Sequence, residues 1–191
     1  MTISHQLKMI FIHVHRTGGT ALTDVLRQNL GGDFDILTQH SNVKTLVPGF
    51  LEKYEGYYTF GFTRNPWSRI LSWYSLIHLN DQKSLAEERK RLEEFIEWDA
   101  AADFTTQFFH YNSLDYFSNK KGELKVDKIF QYENFESEVG ILFNQLNLPL
   151  TEVPIRNETY SKNYREYYTD KSRSLIAQKC KKDIQYFRYS F

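Results

Sequence analysis

The sequence predicts an α/β domain of three layers, in which a central parallel sheet of about five strands is flanked by helices. Apolar, strand-like runs alternate with helix-like stretches along the chain, an order typical of parallel sheets covered by helices. Two of the predicted strands lead through a short loop directly into a helix. The 191 residues, 41% of them hydrophobic, suffice for one core, so a single domain is expected over residues 1–191.

The first strand–loop–helix unit lies near the start of the chain. Residues 9–14 form a nearly unbroken apolar run, which predicts a strand buried on both faces. Residues 15–20 form a loop that contains two adjacent glycines. The stretch that follows repeats apolar residues at helical spacing and ends at Gly31, a residue typical of a helix terminus.

A second unit of the same kind begins near Tyr57. Residues 58–63 read as a strand, and Arg64 follows it. Asn65 and Pro66 then predict the cap and the first position of a helix, because asparagine caps helices well and proline fits their first turn. On this helix Ser72 belongs to a polar stripe that is separate from the apolar one.

The rest of the chain continues the alternation of strands and helices. Residues 99–125 and 149–168 have no regular pattern. The remaining predicted elements are a charged amphipathic helix over 83–98, a third strand over 126–132, a helix over 133–147 and a last helix from 169–170 to 187, in which Cys180 faces the core.

Charge and cysteine content exclude several classes of protein. Lys plus Arg and Asp plus Glu number 24 each, so the net charge is zero and no nucleic-acid partner is expected. Cys180 is the sole cysteine, which excludes an intrachain disulfide and a cysteine-based zinc site. The start of the chain lacks the apolar core of a signal peptide or membrane span, so we expect a cytoplasmic protein without a membrane partner.

The first loop has the composition of an anion site. Its glycines allow the backbone to approach a phosphate, and the following helix offers unpaired N–H groups and the positive end of its dipole. Arg16 and Thr20 add a cation and a hydroxyl. The loop is not a Walker A motif, since no lysine separates Gly19 from Thr20. A plain glycine-rich turn is the alternative.

The second loop supplies a further cation in a favourable place. Arg64 follows a strand of the predicted parallel sheet, and ligands of open α/β sheets gather at the carboxyl ends of strands. With Ser72 it has the chemistry to grip a second phosphate, the arginine through two hydrogen bonds. Taken alone, the pair favours a structural role, with an arginine capping a strand and a serine on a solvated helix face.

Both loops carry a family resemblance. Residues 15–22, HRTGGTAL, resemble the 5′-phosphosulfate loop of sulfotransferases that use 3′-phosphoadenosine-5′-phosphosulfate (PAPS). Residues 63–74, TRNPWSRILSWY, resemble the 3′-phosphate motif of the same enzymes. Residues 129–135 resemble their later strand-to-helix junction, and residues 164–191 the end of their carbohydrate-type branch. The resemblance covers most of the chain and is weakest over residues 76–125.

The resemblance implies a P-loop-like fold and an activity. The expected reaction moves a sulfuryl group from PAPS, as co-substrate, to a hydroxyl of a glycan or another hydroxylated acceptor, without a metal. The residues that it assigns to PAPS are Arg16, Thr17, Gly18, Gly19, Thr20, Ala21, Arg64, Ser72, Arg156 and Lys162. The last two belong to a basic loop that corresponds to one that closes over the cofactor in related enzymes. A solvated charge cluster is the alternative for that loop.

One departure concerns the first loop, which usually reads Pro-Lys-Thr-Gly-Gly-Thr in the carbohydrate-type branch. Here His15 and Arg16 stand in place of the proline and lysine. An arginine can offset the charge that develops on the leaving phosphate, but it does not give up a proton. The expected catalytic role of Arg16 is therefore electrostatic.

The acceptor side of the site is assigned by resemblance alone. Related carbohydrate enzymes often carry a histidine after the second strand, which corresponds to His40. A histidine is suited to take the acceptor proton near neutral pH, and a loop histidine without a catalytic role is the alternative. Gln107 precedes an aromatic pair as in the family and is assigned to the acceptor, with a plain helix residue as the alternative.

Two other functions fit parts of the sequence. A P-loop kinase for a small molecule would share the sheet and the cradle, but it needs Gly-Lys-Ser/Thr and an acidic magnesium ligand. The first is absent, and Glu133 is the nearest candidate for the second. A non-catalytic nucleotide-binding module is the second alternative, which the change from lysine to Arg16 permits.

Overall fold

The fold is given by a computed structural model that describes residues 1–31, 33–38, 40–97, 111–149 and 163–191. Contacts divide the chain into two compact units. The first unit, called the sheet unit, comprises Met1–Arg64 and Ser113–Arg156, and the second, called the helical unit, comprises Asn65–Asn112 and Asn157–Phe191. The expectation of one domain over residues 1–191 stays a prediction.

The sheet unit holds five strands in the order β3-β1-β2-β4-β5. They are β1 (Thr2–Ser4), β2 (Met9–Ile12), β3 (Asp35–Ile36), β4 (Tyr58–Thr63) and β5 (Lys128–Gln131). Pairing is parallel between β2, β4 and β5, whereas β1 lies antiparallel to both β2 and β3. The predicted α/β class and the number of strands are confirmed, and the sheet is mixed rather than parallel throughout.

The antiparallel strand follows from a short connection. Residues 5–8 form a tight turn in which the Lys8 amide donates to the His5 carbonyl over 3.3 Å. So short a connection permits an antiparallel hairpin, because a parallel pair needs a crossover of a dozen or more residues. No sequence pattern indicated β1, which has one apolar residue, Ile3, between a threonine and a serine.

Helices and turns cover both faces of the sheet in this unit. Met9 and Phe11 of β2 face a core that includes α1 (Gly19–Leu30) and α5 (Phe135–Gln145). Ile10 and Ile12 face the other side, where α4 (Leu114–Phe117) and a turn at Val43–Thr45 pack. This alternation is the period of two expected of a strand. The predicted strand buried on both faces is confirmed, since all four residues of β2 are buried.

The helical unit has a separate aromatic and aliphatic core. It contains α2 (Pro66–Ile77), α3 (Leu85–Glu97), α6 (Asp170–Lys179) and α7 (Lys181–Phe187). As predicted, Asn65 caps α2: its Oδ1 accepts hydrogen bonds from the amides of Trp67 and Ser68 at 3.2 and 3.4 Å. The core residues are Trp67, Ile70, Leu71, Trp73, Tyr74, Leu92, Ile96, Tyr168, Ile176 and Cys180.

The predicted last helix is divided into α6 and α7 at Cys180, whose backbone leaves the helical conformation. The thiol is fully buried, as predicted, and donates to the carbonyl oxygen of Tyr111 at 3.2 Å. Burial raises the pKa of Cys180 to about 12, so the group stays a thiol. Across the described ranges, no helix has the length and apolar character needed to cross a membrane.

Candidate active site

The glycine loop joins β2 to α1 at the carboxyl end of the parallel strands. The buried Thr17 hydroxyl donates to the Val14 carbonyl at 2.9 Å and so closes the loop from within. Arg16 has φ 64° and Gly18 has φ 78°, so two residues of the loop are left-handed. That conformation is costly for arginine, and such strain is typical of functional sites.

The two glycines are required by close packing as well as by conformation. A Cβ atom on Gly18 would lie 2.8 Å from the Phe135 ring, and one on Gly19 would lie 2.1 Å from the His13 ring. Real Cβ atoms do not approach so closely. A side chain fits at neither position, because the Phe135 ring fills the space beside Gly18 and the His13 ring fills the space beside Gly19.

Two arginines of the predicted site meet beside this loop. Arg64, directly after β4, donates from Nη1 to the carbonyl oxygen of Arg16 at 3.2 Å. Its guanidinium carbon lies 4.4 Å from the centre of the Tyr132 ring, in a cation–π contact. Burial and the charge of Arg64 together lower the pKa of Arg16 to about 10. Both side chains remain charged at neutral pH, and an anion between them would offset their repulsion.

Three histidines lie together on the other side of the loop. The His40 ring stacks on His15 with centroids 3.4 Å apart and meets the His13 ring edge-on at 4.8 Å. Nδ1 of His40 lies 3.2 Å from the His13 carbonyl oxygen, to which it can only donate. This contact assigns the proton to Nδ1 and leaves Nε2 as the basic nitrogen. Nδ1 of His15 lies 2.6 Å from the Tyr116 hydroxyl.

Electrostatics favour the neutral imidazole at two of these histidines, His13 and His40. Burial, and to a lesser extent the neighbouring His40, lowers the pKa of His13 to about 3. Burial also lowers the pKa of His40, and this outweighs the opposite effect of its bond to the His13 carbonyl. His40 is therefore uncharged at neutral pH, which is the form that accepts a proton.

The structure describes Ser72 within the helical unit. It lies on α2 and is 4% exposed, so it does not belong to a solvated helix face. Arg69, one turn before Ser72 on the polar side predicted for this helix, is fully buried, and its Nη2 donates to the Tyr111 carbonyl at 2.6 Å. The polar stripe of the sequence is thus an interior feature of this unit.

The remaining predicted site residues do not take part in the contacts described above. Gln107, Arg156 and Lys162 lie outside the described residues. In the part of the chain that the structure covers, no group of three or more His, Cys, Asp or Glu side chains is arranged to hold a metal ion. Thr20 is exposed at the start of α1, and Ala21 is buried behind it.

Two tyrosines of the site were not found from the sequence. Tyr132 lies under Arg64, and Tyr116 bonds to His15 from a position 101 residues further along the chain. Tyr116 belongs to the stretch with the weakest resemblance, which gave no signal for it. Tyr132 is the last residue of the strand predicted over 126–132 and directly follows β5 in the structure, and its place at a strand end was the one available sign.

Fold and site define an α/β protein whose glycine loop, flanked by arginines, lies at the carboxyl edge of parallel strands. The model of the sulfotransferase family matches residues 1–190, and the chain belongs to that family of sulfuryl-transferring enzymes. Searches of curated proteins and of solved structures gave no match. The family resemblance seen in the two motifs is confirmed, and the match favours sulfuryl transfer over a kinase.

Proposed function

We propose that this sulfotransferase uses PAPS as donor and sulfates a hydroxyl of a glycan or another hydroxylated acceptor. The observation that carries the proposal is the proximity of two arginines at the glycine loop: Arg64 donates to the Arg16 carbonyl, and its charge lowers the pKa of Arg16. Two cations held together in a partly buried place favour a ligand with several negative charges. PAPS is such a ligand, with a phosphosulfate at one end and a 3′-phosphate on its ribose.

In this proposal the two arginines bind different groups of the donor PAPS. The amides at the start of α1, with Arg16 and Thr20, hold the 5′-phosphosulfate, since a helix N-terminus favours anions. Arg64, fixed by the Tyr132 ring and the Arg16 carbonyl, holds the 3′-phosphate. The assignments of Ser72, Arg156, Lys162 and Gln107 stay predictions from the sequence motifs.

The proposed reaction is an in-line displacement at sulfur. The acceptor oxygen forms a bond to sulfur, while the bond from sulfur to the bridging phosphate oxygen breaks. Adenosine 3′,5′-bisphosphate leaves with the electron pair of that bond, and Arg16 offsets its growing charge. The acceptor proton moves to Nε2 of His40, whose other nitrogen is held by the His13 carbonyl.

The test is a thermal-shift comparison of nucleotides on the purified chain. Adenosine 3′,5′-bisphosphate is expected to raise the melting temperature without magnesium, because a ligand that binds only the native state stabilises it. AMP, which lacks the 3′-phosphate, is the matched control and is expected to have a much smaller effect. Equal stabilisation by AMP would remove the role of Arg64, and a magnesium-dependent response to ATP alone would favour a kinase.

A further inference from the structure

A cavity of about 240 Å³ lies beside α1 in the sheet unit. One of its walls is a single face of that helix, made by Thr20, Thr23, Asp24 and Arg27, whose spacing of three and four residues aligns their side chains. The opposite wall comes from the sheet, with Thr2 of β1 and Ile36 of β3. His13 completes the lining at the end of β2.

Strand order places this cavity across the glycine loop from Arg64. Thr2 pairs with Phe11 and with Ile36, so the cavity lies at the carboxyl end of β2, on the β1–β3 side. Arg64 follows β4, which lies on the other side of β2. Arg64 and the cavity therefore lie on opposite sides of β2, and Thr20, at the start of α1, belongs to both the proposed donor site and the cavity lining.

The base proposed for the reaction adjoins the same cavity. The His40 ring meets the ring of His13, a lining residue, with centroids 4.8 Å apart. His40 also bonds through Nδ1 to the His13 backbone. The contact with His13 therefore places the His40 ring next to one lining residue of the cavity.

The lining matches the chemistry of a polyhydroxylated ring. Its described residues supply threonine hydroxyls, the carboxylate of Asp24 and the guanidinium of Arg27, with Ile36 as their apolar member. The Thr23 hydroxyl donates to the Gly19 carbonyl at 2.7 Å, so its oxygen presents lone pairs to a ligand hydroxyl.

The size of the cavity limits its occupant. Sites for drug-sized ligands commonly measure about 300–1,000 Å³. At about 240 Å³ the cavity holds one ring rather than several linked rings. A longer glycan would enter it with a terminal unit only.

We propose that this cavity is the acceptor site and binds a single ring-shaped polyol, a pyranoside or a cyclitol. The inference rests on the proposed function. One ring hydroxyl bonds to the sulfur as the sulfur–phosphate oxygen bond breaks, its proton passes to His40, and adenosine 3′,5′-bisphosphate leaves. Asp24 and Thr23 bind the remaining hydroxyls and are specificity residues, outside the reacting atoms.

The experiment is ligand-observed NMR by saturation transfer on the full chain with adenosine 3′,5′-bisphosphate present. The probes are the methyl pyranosides of glucose, galactose and mannose, myo-inositol, and p-cresol as the aromatic comparison. The variants are Asp24→Asn and Thr23→Val, which keep side-chain shape while removing charge or hydroxyl. Gln28→Ala is the matched control, because Gln28 is exposed on α1 and is not part of the cavity.

At least one polyol is expected to bind the unaltered chain. Asp24→Asn and Thr23→Val should each reduce its affinity about tenfold or more, whereas Gln28→Ala should leave the affinity unchanged. Pyranosides and myo-inositol as separate arms identify which kind of ring is preferred. Absence of polyol binding, equal binding by all variants, or binding of p-cresol that the cavity variants abolish would each overturn the proposal.

Thermal shift with adenosine 3′,5′-bisphosphate, measured on every variant, separates this inference from the proposed function. The nucleotide is expected to stabilise all variants equally, which also shows that they fold. If it stabilises none, the unaltered chain included, the proposed donor is wrong. If it stabilises all of them and no polyol binds, the acceptor assignment alone is wrong.

Discussion

The guanidinium of Arg64 donates to the backbone carbonyl of Arg16 and lies over the ring of Tyr132. One side chain thereby connects the loops after β2, β4 and β5, the three strands that pair in parallel. Arg64 is thus oriented before any nucleotide arrives.

Replacing Arg64 tests this arrangement directly. Arg64→Ala is expected to weaken binding of adenosine 3′,5′-bisphosphate by about 10- to 150-fold, since a hydrogen bond to a charged group contributes about 1.5–3 kcal/mol. Isothermal titration calorimetry measures the change. Lys121→Ala, which removes an exposed cation of the same unit, is the control and should bind normally. An Arg64→Ala chain that no longer folds would instead assign the arginine a structural role.

The Tyr132 ring is expected to act through Arg64. Tyr132→Leu removes the cation–π contact, which contributes about 0.5–2 kcal/mol, so nucleotide affinity should fall by about 2- to 30-fold. Tyr132→Phe keeps the ring and should bind nearly as the unaltered chain does. Calorimetry on the double variant Arg64→Ala, Tyr132→Leu completes a cycle. If the two losses simply add, Tyr132 does not position Arg64.

Local sequence patterns predicted those parts of the fold that are determined by residues close together in the sequence. The apolar run of β2, the Asn65 cap and the glycine loop are of this kind, and the structure has all three. The strand β1 was missed because its stability comes from pairing with β2 and β3 rather than from its own composition. The contacts of Tyr132 and Tyr116 join segments distant in sequence, and no local pattern encodes them.

The glycines of the chain allow a test with an internal control. Gly19→Ala places a methyl group against the His13 ring, so it should lower the free energy of unfolding by about 1–3 kcal/mol and weaken nucleotide binding. Gly140→Ala, in α5, meets nothing within 4 Å and should stabilise the chain by about 0.5–1 kcal/mol. Urea unfolding measures both. Equal effects of the two substitutions would mean that Gly19 is not held by close packing.

His40 is expected to govern turnover and its dependence on pH. His40→Ala should lower turnover by about 10²- to 10⁴-fold, the usual contribution of a positioned base, while affinity for adenosine 3′,5′-bisphosphate stays unchanged. Burial lowers the pKa of His40, so its neutral form persists into mildly acidic solution. The fall in turnover of the unaltered enzyme with decreasing pH should therefore occur at lower pH than an unperturbed histidine, with a pKa of about 6.5, would give.

Turnover is measured as the rate at which adenosine 3′,5′-bisphosphate is released from PAPS. The acceptor for this assay is first identified by screening hydroxylated compounds. His5→Gln is the matched control, because His5 is exposed and bonds to Tyr57 and Asp35 rather than to the loop. A His40→Ala enzyme with normal turnover would show that another group takes the proton. The same conclusion would follow if the turnover of that variant fell at low pH in the same way as that of the unaltered enzyme.

His13 links stability to pH. Its pKa is about 3 in the folded chain, against about 6.5 when unfolded, so the unfolded state binds an extra proton between these values. Stability is therefore fully present above pH 6.5 and is lost progressively as the pH falls. Between pH 7 and pH 5 the loss should be about 2 kcal/mol at most, by 1.36 kcal/mol per pH unit. In His13→Gln, whose side chain does not titrate, urea unfolding should show a smaller loss over the same interval, and an unchanged loss would assign the acid sensitivity to other groups.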